Sequence, residues 1–517
     1  MNKAIQRIIE RYPHLDQRKF GFPDVGKRKD RNEFSPFVKE VKEAFEIYDY
    51  ILNNYYDYNK DINMTSGNPM EYKPYPPIVK NINKYLKSND LYKYPYSEGD
   101  NKVRKVLLDY VERIGFKNDF PYEEKDIDER GLSINNLTMT VSTSHALNIL
   151  IDIIAREHDV VLMTAPNYGL FSFKPERFNV DVKVIPLKEE NNYLIDPDDL
   201  EKIVIETNEE LKTKYIDFDY IPKVVAIINS NPSNPLGTYL GESEKERLIK
   251  IGNIAKTNDI FIIDDLIYRD ISFNDDLALP IASLDGMFQN TISLFGLSKS
   301  YGMASLRAGF VVADEVIIRE IINRIFEEID AVPAIIGVSL EGAFKENKKA
   351  YDKYFRKLRY KYAFNYNLFK CMIDGIDSVD VKFRKKILSL IKKYAPNYDV
   401  LNGIKDVKIK IELSAGFFVI LDFTKLKGKK DEKGKKITTD EDLLLYFYRN
   451  INLRYLIGKS FAWPNKHELV GRFTFAKSPK EIINCIAKMS EAIDKLMWYY
   501  ICEVFYVQNW RGIFKSL

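Results

Sequence analysis

Cysteine is nearly missing from this chain: Cys371, Cys485 and Cys502 are the three in 517 residues. Three thiols cannot build a disulfide framework or a cysteine-rich zinc site, and they suit a reducing compartment. Histidine is almost as scarce, and His14, His145, His158 and His467 show no ligand-like spacing, so no metal site is expected. Net charge is close to absent, with 78 Lys+Arg against 75 Asp+Glu. That balance supplies no overall field for nucleic acid or anionic lipid. Long apolar runs are lacking too, since no stretch reaches the ~18 consecutive apolar residues of a membrane span. The first twenty residues, interrupted by Arg7, Glu10, Arg11, Asp16, Arg18 and Lys19, lack the apolar core of a signal peptide. These absences point to a cytoplasmic protein with neither nucleic acid nor membrane as a partner.

What is present is length for two or three folding units, at roughly 100–200 residues each. Across residues 136–312, short β-like runs (LTMTVS, DVVLMTA, DVKVIPL, KVVAIINS, IFIIDD, TISLFGL, AGFVVA) alternate with helical segments, clearest at 148–157 and 242–258. Strands apolar on both faces belong in an α/β fold with a mainly parallel, seven-stranded, doubly wound sheet. Such a sheet binds ligands beyond the carboxyl ends of its strands. Around it, the periodicity predicts a helix near 37–52, further helices at 317–329 and 339–366, and a helical pair within 376–412. Strands are expected at 414–423 and 471–476, a final helix from Pro479, and a mobile Lys/Gly-rich surface loop between the two strands. The aromatic tail 498–510 is too apolar to be solvated and is expected to pack on the body or on another subunit.

The strand ends carry the chemistry. After TMTVS, Ser142, Thr143 and Ser144 open a helix; hydroxyls and free N–H groups there make either an anion site or a plain N-cap. After KVVAIINS, the turn NPSNPLG fixes Asn234 between prolines, as a functional turn or an ordinary one. After IFII stand Asp264 and Asp265, costly to desolvate unless a cation or donor meets one of them, with Tyr268 three residues beyond Asp265. After TISLFGL come Ser298 and Lys299, then Arg307 and Gly309. A lysine at the end of an apolar strand suits an amine of lowered pKa for Schiff-base chemistry, and a hydroxyl with a guanidinium suits a phosphate dianion.

In this order and spacing, NPxNPxG, D-x-x-Y and SK…R-x-G resemble the pyridoxal-phosphate (PLP) enzymes of fold type I, in the aspartate-aminotransferase-like (class I/II aminotransferase) family. The resemblance runs from about residue 61 to 476 and implies a large PLP-binding domain (91–339) and a smaller α+β domain (61–90 with 340–517). The smaller one carries insertions at 376–412 and 425–440, and residues 1–60 form an N-terminal arm. It implies pyridoxal 5'-phosphate as cofactor, amino acid and 2-oxo acid as substrates, and a homodimer. By position, Lys299 would join the cofactor and shuttle a proton, Asp265 would pair with the ring nitrogen, and Tyr268 and Asn234 would bond the ring 3′-oxygen. Tyr168 would stack on the ring. Ser142, Thr143, Ser144, Ser298 and Arg307 would hold the phosphate, joined by Tyr94 from the neighbouring subunit. Arg472, Gly67 and Asn234 would receive the substrate, Arg472 gripping its α-carboxylate as a forked pair. Two positions depart from the family pattern: Ser305 stands where glycine is common, and Leu236 replaces the commoner threonine.

The implied activity is transamination of an L-amino acid with a 2-oxo acid through a ping-pong aldimine mechanism. The same residues also serve decarboxylation, β-lyase or elimination chemistry, because bond choice depends on which substrate bond stands perpendicular to the ring. A non-catalytic PLP-binding regulator is the third reading, and retention of Lys299 argues against it.

Overall fold

The computed structural model describes residue 6 and residues 35–70, 72–118, 131–273 and 276–497. Most of the N-terminal arm before residue 35, the aromatic tail 498–510 and Cys502 lie outside the described residues.

All seven apolar runs form strands: β1 (Leu137–Val141), β2 (Val160–Ala165), β3 (Asp181–Pro186), β4 (Val224–Ser230), β5 (Phe261–Asp265), β6 (Thr291–Gly296) and β7 (Ala308–Val312). They make one sheet in the order β1-β7-β6-β5-β4-β2-β3, in which β7 alone runs antiparallel to its neighbours. The continuous apolar runs are explained by burial on both faces. In β2, Val160 and Leu162 pack into one hydrophobic cluster with Leu200, Val204 and Leu248, while Val161 and Met163 pack into the other with Leu147 and Ile151. Helices therefore cover both sides of the sheet, as a doubly wound fold requires.

A second, antiparallel sheet contains β8 (Lys408–Ile409), β9 (Phe418–Asp422), β10 (Leu456–Ile457) and β11 (Val470–Thr474), in the order β10-β11-β9-β8. The short strand Ile62–Asn63 pairs with Leu453–Arg454, and Arg454 clasps Asp61 with two contacts of 2.7 and 2.6 Å. Helix α1 (Pro36–Asn54) is tied to the same region by Tyr48, whose hydroxyl donates to Tyr455 O (2.9 Å) and accepts from Ile457 N (2.8 Å).

Several elements differ from expectation. Helix α2 (Ser142–Ile154) opens at the Ser142-Thr143-Ser144 turn, as expected, and ends three residues before the expected 157. The predicted single helix 339–366 is two, Ala334–Phe344 and α3 (Lys348–Asp374), separated where Asn347 turns its side chain back to accept from Ala350 N. The predicted pair in 376–412 is one helix of full length, α4 (Val381–Tyr394), followed by turns and β8. The Lys/Gly-rich excursion is anchored rather than loose: Lys429 is buried and pairs with Asp406 at 2.9 Å, and Lys430 bridges to both Lys436 and Met497. Among the described residues, no helix is long and apolar enough to cross a membrane, and no His/Cys/Asp/Glu group is arranged to hold a metal ion.

Candidate active site

Parallel register aligns the carboxyl ends of the central strands, with Asp265 of β5 opposite Ser230 of β4 and Leu294 of β6. The two adjacent acids then part company. Asp264 is fully buried and accepts from Asn229 Nδ2 (2.9 Å) and Ile281 N (3.1 Å), a structural role. Asp265 is almost as buried, accepts a weak bond from Ile267 N (3.3 Å), and lines a cavity of about 300 Å³. Burial, reinforced by the charge of Asp264, pushes its carboxyl up to about 7 against the opposing pull of Lys299.

Lys299 lies three residues beyond β6 and donates from Nζ to the carbonyl of Gly67 at 2.7 Å. Burial, then the nearby Arg472 and Arg307 cations, lower its amine to about 8, with Asp265 opposing. A Cβ on Gly67 would stand 3.4 Å from that nitrogen, in ordinary van der Waals contact, so the backbone here lies directly against the amine. Arg472, in the middle of β11, is buried with its guanidinium 3.9 Å from the centre of the Phe418 ring. It donates to Asn234 Oδ1 (3.0 Å) and Thr65 O (2.7 Å), while Nε has no hydrogen-bond partner among the described residues. No carboxylate among the described residues pairs with it, and burial lowers it to about 10. An unpaired buried guanidinium with a spare N–H is a receptor for a carboxylate.

Asn234 is held by a turn that needs Gly237: its φ is +67°, and a Cβ there would meet Ala415 O at 2.6 Å. Tyr268 is buried against the Phe417 and Phe418 rings (5.6 and 6.4 Å), and burial raises its hydroxyl pKa. Tyr168 stands edge-on to Phe171 (5.1 Å) at the cavity wall.

The first turn of α2 presents Ser142, Thr143 and Ser144 to the same cavity, which buried Ser298 and exposed Arg307 also line. Gly309 lets this turn sit against the sheet, since a Cβ there would stand 2.9 Å from Phe295 O and 3.0 Å from the Ser142 carbonyl carbon. The helix N-terminus, four hydroxyls and a guanidinium with no carboxylate partner among the described residues form an anion cradle. Ser305, at a position where glycine is common, is exposed and needs no close backbone approach. Leu236 is fully buried as part of the core.

The structure thus brings every predicted site residue except Tyr94 to one cavity. Tyr94 is 91% exposed and lies away from it, with Tyr92 and Tyr96 similarly open. Sequence reasoning missed Thr65, which acts through its carbonyl, and the apolar wall of Phe45, Phe418, Leu456 and Phe461. A backbone oxygen and scattered apolar side chains leave no motif; only the TSGNP stretch around Thr65 offered a hint.

The family model "Aminotransferase class I and II" matches residues 59–352, more than half of the chain. The aspartate aminotransferase of Pyrococcus abyssi is 33% identical over 186 residues, covering 34% of this chain and 43% of that one. The aromatic-amino-acid aminotransferase 2 of Thermococcus litoralis is 28% identical over 189 residues, covering 36% and 43%. The chain therefore spans less than half the length of these curated relatives. Among solved structures, the aspartate aminotransferase from Rhizobium meliloti superposes with a TM-score of 0.67 at 14% identity, over 92% of this chain and 100% of that one. A Thermus thermophilus aspartate aminotransferase gives 0.62 at 15% identity, over 83% and 96%. Likeness at these identities establishes the fold.

Proposed function

The chain belongs to the class I and II aminotransferase family, and from that membership we propose that it moves the amino group of an L-amino acid to a 2-oxo acid in two half-reactions of a ping-pong cycle. Members of the family use pyridoxal 5′-phosphate. Three features support its fit here: a buried Asp265 carboxyl with no ion-pair partner among the described residues, the anion cradle at the start of α2, and Lys299 lining the same cavity as both. The last of these carries the proposal.

When bound, the cofactor supplies an aldehyde carbon that takes up an amine and a ring that accepts electrons from the reacting carbon. Asp265 would hold a protonated ring nitrogen, which returns its carboxyl toward the ionised form. Ser142–Ser144, Ser298 and Arg307 would hold the phosphate, Tyr168 the ring face, and Tyr268 with Asn234 the ring oxygen. Lys299, its amine lowered to about 8, has a usable neutral fraction near pH 7–8, so Nζ would be available to hold the cofactor and to move a proton at the substrate carbon. Arg472 and Gly67 would orient the donor by its α-carboxylate. The walls formed by Phe45, Leu456 and Phe461 would exclude water during proton transfer.

In this reading, residues 91–339 form the cofactor-binding domain, 61–90 with 340–517 the smaller domain, and 1–60 an arm. The protein works in the cytoplasm as a homodimer. The exposed trio Tyr92, Tyr94 and Tyr96 supports a covering subunit, into which Tyr94 would reach; a monomer in sedimentation at assay concentration would remove Tyr94 from the site. The decisive experiment adds pyridoxal phosphate to wild type and Lys299→Ala, then offers amino acids singly with a 2-oxo acid acceptor. Wild type is expected to acquire the visible absorption of a lysine-bound cofactor and to transfer the amino group, and the variant neither. Absence of that absorption in wild type defeats the proposal. Release of CO2 or ammonia without transfer redirects it to another bond of the same substrate.

A further inference from the structure

The stretch 65–68 is a wall between two cavities. Thr65 and Gly67 face the active site, while Ser66 and Asn68 line a second cavity of about 600 Å³, between α3, α4 and the start of helix Pro479–Asp494. That volume falls within the roughly 300–1,000 Å³ of small-molecule sites. Lys361, Lys386 and Lys477 stand on its rim, around a floor that includes buried Phe364 and half-buried Leu390. Lys477 has Glu481 at 3.7 Å, whereas Lys361 and Lys386 have no carboxylate partner among the described residues. Both instead lie over rings, at 4.7 Å from the centre of Tyr72 and 4.6 Å from that of Phe364.

The surroundings reinforce the sign of charge. Residues 348–394 hold fourteen Lys+Arg against four Asp+Glu, in a chain whose net charge is only +3. Lysines scattered on a helix are ordinarily a solvated face. Gathered at the mouth of a concavity with apolar walls, they focus a positive potential into it.

We propose that this cavity binds a small organic polyanion, a phosphate ester or a polycarboxylate with an apolar or planar body, and that its occupancy acts on the active site through residues 65–70. The connections are direct. Gly67 O accepts from Lys299 and Thr65 O from Arg472, each at 2.7 Å. Met70 N donates to the hydroxyl of Tyr362 (2.9 Å), the neighbour of Lys361 on α3. Tyr362 in turn stacks on Phe417, which touches Tyr268. A ligand that favours one arrangement of this wall shifts donor affinity, and the donor shifts ligand affinity by the same factor. The binding stands independently of the proposed activity; the coupling rests on it.

The test is calorimetric titration of the pyridoxal-phosphate-loaded protein, its own phosphate cradle filled, with ATP, pyrophosphate and citrate at low and high salt. Saturable, salt-sensitive binding of at least one probe is expected, weakened about tenfold or more in Lys361→Ala/Lys386→Ala. Leu390→Trp, which fills the cavity without altering charge, is expected to block it as well. Preference for ATP identifies a phosphate ester with a planar body, and preference for citrate a polycarboxylate. No saturable binding, or equal binding by both variants and wild type, overturns the site. Binding that leaves the donor KM unchanged overturns the coupling alone, and failure of amino transfer would leave the binding result standing.

Discussion

Asp265→Asn should stabilise the cofactor-free protein, and only above a particular pH. The carboxyl is displaced by burial from its ordinary 3.8 to about 7. Below about pH 4 it is neutral folded and unfolded, so it imposes nothing. Between about 4 and 7 the unfolded chain releases its proton while the folded one keeps it, and stability falls as pH rises. Above 7 the ionised group costs the fold about 4 kcal/mol, at 1.36 kcal/mol for each tenfold change in proton affinity. Asparagine removes this penalty and preserves the bond from Ile267 N, though its buried amide N–H groups lack a certain partner, returning about 1–3 kcal/mol. The expected net gain is about 2 kcal/mol at pH 8, with none or a small loss at pH 5. Thermal unfolding followed by circular dichroism reads this directly, at about 2–4 °C per kcal/mol for domains of 150–250 residues and less for a longer chain. With pyridoxal phosphate bound the order should reverse, because a ring cation opposite Asp265 makes the ionised form favourable and asparagine forfeits it. A pH-independent difference between variant and wild type, or an advantage that survives cofactor binding, refutes the assignment of Asp265 as a carboxylate awaiting a cation.

Gly309→Ala should push the first turn of α2 away from the sheet, costing about 1–3 kcal/mol of stability by overpacking and weakening pyridoxal phosphate binding in a spectroscopic titration; unchanged cofactor affinity would separate Gly309 from the cradle. Arg472→Lys keeps the charge but gives up the forked donor and the face of Phe418. A loss of about 1.5–3 kcal/mol, roughly 10- to 150-fold in kcat/KM for the amino donor, is expected from steady-state kinetics, and full activity in this variant would remove Arg472 from carboxylate recognition.

The central strands of the large sheet were legible because a strand covered on both faces has little room for polar residues, whereas the edge strand β3 is only partly buried and keeps Asp181 and Lys183. Helix limits were less legible. The break before Lys348 carries neither proline nor glycine, so the period ran through it. Lys429 read as solvated surface because its partner, Asp406, lies in a distant loop. In the site, charged residues fixed to strand ends could be foreseen from their order. Thr65 contributes only a carbonyl, and Phe45 arrives from a helix far away in sequence, so neither could be found without the fold. Tyr94 is the converse: its motif was readable, and its place lies outside the cavity of its own chain.

Strands β6 and β7 are an antiparallel pair closed by Gly296 opposite Gly309, and both Lys299 and Arg307 sit on the single connection between them. That connection behaves as a ruler. The seven residues 300–306 space an amine from a guanidinium, and both ends are pinned by the same ladder. Composition within it can drift, as Ser305 illustrates, but its count cannot: one residue more or fewer would move the guanidinium past the α2 turn while the amine stayed in place. Searching distant sequences for this spacing, rather than for the identities inside it, should separate chains able to hold both ends of one ligand from those that merely share the sheet.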